Sequence, residues 1–120
     1  MAKSLNELLR VKGAVAAGEF SVDGKLIEFL GQDNRLPEDV ADLTAQFAAA
    51  VSQLLGALAA AHTKLSGFNW IPEQGWAYSG GELTIAVGGR YGVFVKTAEA
   101  DFNELFEVLI GPRRLAGARA

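Results

Sequence analysis

Residues 37–67 read PEDVADLTAQFAAAVSQLLGALAAAHTKLSG, and this stretch predicts one long helix. Pro37 suits a helix start because its missing backbone N–H does no harm there, and Glu38 and Asp39 complement the helix dipole. Large apolar residues recur along the stretch at helical spacing, so we expect them to face the core of the fold. These residues are Val40, Leu43, Phe47, Val51, Leu54, Leu58 and Leu65. We expect the helix to end at Ser66 and Gly67.

The opposite side of this helix carries small or uncharged residues, where a surface helix is normally polar. Small residues allow a second helix to approach closely, so we predict that this side is a dimer interface. Its residues are Ala45, Ala49, Gln53, Gly56 and Ala60. The alternative is that alanine is used here only because it is the best helix former.

The remaining sequence predicts strands around the long helix and a shorter helix at each end. Ser4 and Glu7 have the spacing of a capping box for a first helix at 4–12, and Thr97 is expected to cap a last helix at 98–110. Asp23-Gly24 and two Gly-Gly pairs mark tight turns between strands. The predicted strands span residues 14–22, 25–30, 76–79, 82–87 and 91–96. The order α-β-β-α-β-β-β-α indicates an α+β domain with a central, mainly antiparallel five-stranded sheet and helices packed on it.

This order of elements resembles the roadblock/LC7 (dynein light chain–like) family, whose fold is related to the profilin-like folds. The resemblance is carried by the first helix, GAV at 13–15, DGKLI at 23–27, the long helix, and YGVFV at 91–95. It implies a small bacterial scaffold or regulator without catalytic activity. It also implies a homodimer in which strands join across subunits and long helices lie side by side, with a small Ras-like GTPase as a candidate partner.

Composition limits the classes of function. The chain has 120 residues, no cysteine and a formal net charge of −3. We therefore expect one domain at residues 1–112, with a flexible tail at 113–120, and no disulfide or thiolate zinc site. The basic residues are scattered, which argues against a nucleic-acid-binding face.

The N-terminus lacks the apolar core of a signal peptide, so we expect a cytoplasmic protein. The uncharged run at 43–61 is mostly alanine and includes Gln46, Ser52 and Gln53. A membrane-spanning helix needs about 20 strongly apolar residues. We therefore interpret this run as part of a soluble helix and predict no membrane span.

Aromatic residues gather after the long helix. Trp70, Trp76 and Tyr78 are predicted to form a partner-binding surface, because tryptophan and tyrosine are enriched in protein interfaces. The alternative is that members of this group pack in the core against the long helix.

Nothing in the sequence forms a catalytic constellation. His62 is the single histidine, and a general base needs a nucleophile or substrate group within reach. We predict no enzyme activity, no metal and no cofactor.

Two functions remain open. The first is a protein-binding adaptor or regulator that forms a homodimer. The second is a profilin-like small-molecule sensor, with a pocket between sheet and helices lined by Phe20, Phe29, Trp70 and Phe94.

Overall fold

The computed structural model describes residues 4–32 and 36–110. The helices are α1 (Leu5–Leu8), α2 (Glu38–Ser66) and α3 (Phe102–Ile110), and a short 3-10 turn spans Thr97–Glu99. The strands are β1 (Ala14–Phe20), β2 (Leu26–Gly31), β3 (Gly75–Ser79), β4 (Leu83–Gly88) and β5 (Tyr91–Lys96). The predicted α+β fold and its element order are confirmed. The predicted tail at 113–120 lies outside the described residues.

The five strands form one antiparallel sheet in the order β2-β1-β5-β4-β3. The predicted Asp23-Gly24 turn joins β1 and β2, and Gly24 has a φ of 87°, which favours glycine. Strands β2 and β3 lie at the two edges. Within the described part of the chain, β3 therefore pairs with β4 alone.

Helix α2 packs on one face of the sheet with its small residues. The buried ones are Ala41, Ala45, Ala48, Ala49 and Ala59. The sheet supplies the large side chains of this layer, including buried Phe20 and Phe94. A Cβ added at Gly24 would lie 3.1 Å from the Cα of Gln46, so the helix backbone approaches the β1–β2 turn very closely. Methyl groups on the helix thus fill the space between phenyl rings on the sheet.

The prediction of which side of α2 faces the core is wrong for most of its residues. Phe47 is 63% exposed and Leu54 is 70% exposed, whereas Ala45 is 3% exposed. Both sides of the helix have the same period, so periodicity alone cannot choose between them. The phenyl rings of the sheet take up most of the space under the helix, so that mainly methyl groups of α2 pack against them. The large apolar residues found exposed are Leu43, Phe47, Leu54, Leu58 and Leu65.

Helices α1 and α3 cover the other face of the sheet, where Leu8 and Leu105 are fully buried. The predicted capping box is present, with the Glu7 backbone N–H donating to Ser4 Oγ at 3.1 Å. Helix α3 starts later than predicted, because Asp101, and not Thr97, receives the first-turn hydrogen bond from the Glu104 N–H at 3.2 Å.

Candidate functional site

One side of α2 presents a continuous apolar surface to solvent. We call it the α2 apolar face and define it by Leu43, Phe47, Leu54, Leu58 and Leu65, all exposed. At 3.6 residues per turn these five positions fall within about 60° of one another and span roughly 33 Å along the helix. Ala50 and Ala61 lie on the same side, so no charged residue interrupts the surface between its two ends. Contiguous apolar patches of this kind mark interaction sites.

The edge strand β3 lies beside α2. The Trp76 indole Nε1 donates a hydrogen bond to Ser52 Oγ at 3.1 Å, which ties the strand to the middle of the helix. Tyr78, on the same strand, is 65% exposed. An edge strand offers unpaired backbone N–H and C=O groups to another strand. The β3 edge is therefore a second exposed element that a partner strand could contact.

The five residues predicted as a dimer interface differ in burial, and they fall into two groups. Ala45 and Ala49 are buried against the sheet within the chain, at 3% and 8% exposure. These two cannot contact a second helix while the fold is intact, and this corrects the predicted set. Gln53, Gly56 and Ala60 are not buried in this way. They lie on the flank of α2, between the buried alanines and the α2 apolar face. Dimerisation itself stays a prediction.

Sequence reasoning missed the α2 apolar face as a candidate interface, although a signal for it was present. Phe20, Phe29 and Phe94 all line the side of the sheet that meets α2. A helix that packs on three phenylalanines needs small residues at the contact, because interiors are closely packed. The aromatic content of the strands therefore indicated that the alanine side of α2 faces inward.

The three aromatic residues predicted to form a partner-binding surface also differ in exposure. Trp70 and Tyr78 are exposed, whereas Trp76 is half-buried and bonded to Ser52. Trp70 lies against α2, with its ring centroid 4.5 Å from that of His62. Their role in partner binding stays a prediction.

The four residues predicted to line a small-molecule pocket do not surround one cavity. The space between the sheet and α2 is about 20 Å³, lined by Phe20, Phe29 and Phe94 among others. That is room for about one water molecule, whereas ligand pockets usually measure several hundred Å³. Trp70 instead lines a separate open cleft of about 560 Å³ between α2 and the 69–75 segment.

Titratable groups are dispersed. Within residues 4–32 and 36–110, no three His, Asp or Glu side chains converge where they could hold a metal ion. His62 packs on Trp70, and no hydroxyl among the described hydrogen bonds pairs with its ring. The absence of enzymatic activity stays a prediction for this chain.

By length and composition alone, α2 is apolar enough to cross a membrane. In the fold, however, its alanine side covers the sheet, and the sheet is held to it by the Trp76–Ser52 hydrogen bond. The large apolar residues that this arrangement leaves exposed lie on the opposite side of α2.

The fold is similar to solved structures of roadblock proteins. The gliding protein MglB from Thermus thermophilus has a TM-score of 0.65 at 20% identity, covering 95% of this chain and 81% of that one. A Roadblock/LC7 domain from Streptomyces avermitilis has a TM-score of 0.62 at 16% identity, covering 94% and 92%. An MglB with a tetrameric arrangement has a TM-score of 0.62 at 21% identity, covering 96% and 77%. At these identities the likeness shows the fold, and it confirms the predicted roadblock/LC7-like architecture.

No curated protein matches this chain. The model of a family described as "Uncharacterized conserved protein (DUF2173)" matches residues 4–110, nearly the whole described length. The chain is therefore a member of the DUF2173 family, built on a roadblock/LC7-like fold.

Proposed function

We propose that this protein is a non-catalytic adaptor that associates with a second copy of itself through the α2 apolar face. The observation that carries this proposal is the exposure of five large apolar side chains on one side of a helix whose other side is fixed on the sheet. The resulting pair of copies would present its remaining surface to a regulatory partner.

Burial of the α2 apolar face in an interface would be energetically favourable. Burying one leucine or phenylalanine side chain contributes roughly 1.5–3 kcal/mol. Leu54 and Phe47 are 70% and 63% exposed in the single chain, so most of that contribution is still available. An interface that seats several such anchors is typical of stable association.

A second copy is the best occupant for two reasons. A two-fold axis places the same surface of both copies in contact, and an uninterrupted apolar face is complementary to itself. The β3 edge is a separate exposed element, and two antiparallel β3 strands could also pair about a two-fold axis and continue the sheet. The structural similarity to an MglB with a tetrameric arrangement supports self-association.

The regulatory partner is proposed from the fold family. The resemblance to the roadblock/LC7 family supports a small Ras-like GTPase as that partner, and the cytoplasm as the location. In this proposal no residue of the chain turns over a substrate. Tyr78, exposed on β3, and Trp70, exposed after α2, are candidates for contact with the partner or the second copy.

Light scattering on matched variants tests self-association. Wild type should have twice the monomer mass, and Leu54→Glu should have the monomer mass because it places a charge in the centre of the α2 apolar face. Gln53→Glu is the control, since it adds the same charge at the neighbouring exposed position on the flank of the helix. A monomeric wild type would contradict the proposal. A dimer that only Gln53→Glu dissociates would move the interface to the flank.

A further inference from the structure

A cleft opens between the C-terminal half of α2 and the segment that leads into β3. Its volume is about 560 Å³, and it is bounded by α2 residues including Leu55, Leu58 and His62 and by residues 69–75. It is separate from the small space under α2 that the phenylalanines fill. The proposed self-association does not need this cleft.

One wall of the cleft is formed by Trp70, which is hydrogen-bonded to α2. The Trp70 backbone N–H donates to Thr63 Oγ1 at 2.9 Å, and its indole Nε1 donates to Ser66 Oγ at 3.1 Å. The Trp70 and His62 rings are in contact, with centroids 4.5 Å apart. Two hydrogen bonds therefore hold the aromatic side chain that forms one wall of the cleft in a defined position.

One residue that lines the cleft, Glu73, has a carboxylate oxygen without a hydrogen-bond partner. Glu73 lines the cleft, and its Oε2 is buried and accepts no hydrogen bond. Among the described residues it is the one buried side-chain polar atom in this condition. Burying a hydrogen-bond acceptor without a donor costs free energy, because the acceptor loses its hydrogen bonds to water and forms none in the protein. The terminal torsion of a glutamate is soft, so a small turn of the carboxyl group can direct this oxygen to a donor in the cleft.

We propose that this cleft binds an arginine side chain of a partner protein, with the guanidinium on the Glu73 carboxylate and its flat face against Trp70. This proposal deepens the proposed adaptor function, on which it rests, by naming what the partner presents. The aliphatic walls formed by Leu55 and Leu58 would hold the methylene groups of the same side chain.

Arginine fits this chemistry better than other donors. Its planar guanidinium donates two parallel hydrogen bonds to one carboxylate and stacks on aromatic rings, and it gives up its hydration more readily than an ammonium group. Indole is the aromatic ring that attracts a cation most strongly. The net charge of −3 also favours the approach of a cationic partner surface.

The occupant is a different protein, although the cleft adjoins the self-association surface. Leu58 belongs to both the cleft and the α2 apolar face. A partner seated in the cleft would therefore also meet the edge of the proposed dimer, which would link partner binding to the assembled pair.

The probe is N-acetyl-argininamide, and the matched control ligand is N-acetyl-citrullinamide, which has nearly the same shape without charge. Titration into full-length wild type, followed in ¹H–¹⁵N NMR spectra, should shift the Trp70 indole signal and the Glu73 amide signal at millimolar concentration. The citrulline compound should bind at least about tenfold more weakly, and Glu73→Gln should weaken arginine binding by about tenfold. Leu54→Glu should bind the arginine compound as wild type does, so failure of self-association leaves this test intact.

Three results would overturn the proposal. The first is equal binding of the two compounds to wild type, or no binding of either. The second is binding to Leu54→Glu alone, which would mean that a second copy fills the cleft. The third is binding that appears only after Arg113→Gln and Arg114→Gln are introduced together, which would assign the cleft to the chain's own terminal arginines.

Discussion

The indole Nε1 of Trp76 donates a hydrogen bond to the hydroxyl oxygen of Ser52 at 3.1 Å, and this contact joins the edge strand β3 to the side of α2 that faces the sheet. Ser52 lies on the same side of the helix as Ala45 and Ala59, both buried. The bond therefore adds to the packing that holds the alanine side inward. Leu54 lies on the opposite side of the helix and is exposed.

The Trp76–Ser52 bond should contribute measurably to stability. Ser52→Ala and Trp76→Phe each remove one partner, and we expect Ser52→Ala to lower the free energy of unfolding by about 1 kcal/mol. Trp76→Phe should cost more because ring area is lost as well. In urea unfolding the double variant should lose less than the sum of the two single losses. Simple additivity would show that the two groups do not interact.

Ala49→Glu should unfold the chain instead of separating two copies. Ala49 is buried under the sheet, and an unpaired buried charge costs several kcal/mol. Ala60→Glu introduces the same charge at an exposed alanine of the same helix. It should change the free energy of unfolding by less than about 0.5 kcal/mol. Urea unfolding at one protein concentration compares them, and equal stability of the two variants would contradict the orientation of α2.

A buried hydroxyl joins the β4 strand to its neighbours. Thr84 is fully buried, and its Oγ1 lies 2.9 Å from both Ser79 Oγ and Thr97 Oγ1. Thr84→Val keeps the shape and leaves two hydroxyls with a lost partner, so it should cost about 1–3 kcal/mol. Thr44→Val is the control, because the Thr44 hydroxyl donates to the Val40 carbonyl oxygen within its own helix and does not join separate elements. The account of this network fails if both variants have wild-type stability.

The stability of the chain should depend on the protonation of Glu73. Burial raises the pKa of this carboxyl above its ordinary value of 4.5. The unfolded chain therefore loses this proton at a lower pH than the folded chain does. The free energy of unfolding falls as pH rises from the ordinary pKa through the raised one, and it is constant above that.

Glu73→Gln has no proton to lose, so its stability relative to wild type should increase from about pH 3.5 to pH 7. Urea unfolding of both proteins at each pH measures this change. Glu28→Gln makes the same chemical change at an exposed glutamate of β2 and serves as the control. A constant difference for Glu73→Gln would contradict burial of its carboxyl in the folded chain.

Local signals in the sequence predicted most of the fold. The Asp23-Gly24 turn occurs where expected, and so does one of the two predicted Gly-Gly turns, at Gly88-Gly89 between β4 and β5. A tight turn depends on a few adjacent residues. The helix end at Gly67 is confirmed, with the left-handed conformation that glycine adopts easily. The start of α3 was missed, because both Thr97 and Asp101 are good capping residues and the choice between them depends on packing.

The candidate sites depended on contacts that no local pattern records. The inward side of α2 is chosen by the phenylalanines of distant strands. The isolation of Glu73 Oε2 depends on how residues 69–75 return to the helix, and nothing in the order of those residues indicates it. The aromatic residues Trp70, Trp76 and Tyr78 were recognised as a group, but their separate surroundings emerge only in three dimensions.

The distance between two copies of α2 tests the central claim most directly. The chain has no cysteine, so Gln53→Cys carries a single spin label on the exposed flank, beside the centre of the α2 apolar face. Packed helices lie about 8–10 Å apart, and we predict a label-to-label distance below about 25 Å in the wild-type background. Leu54→Glu in the same labelled chain should abolish the dipolar signal. A dimer in which the two labels show a much longer distance, or no coupling, would contradict association through the α2 apolar face.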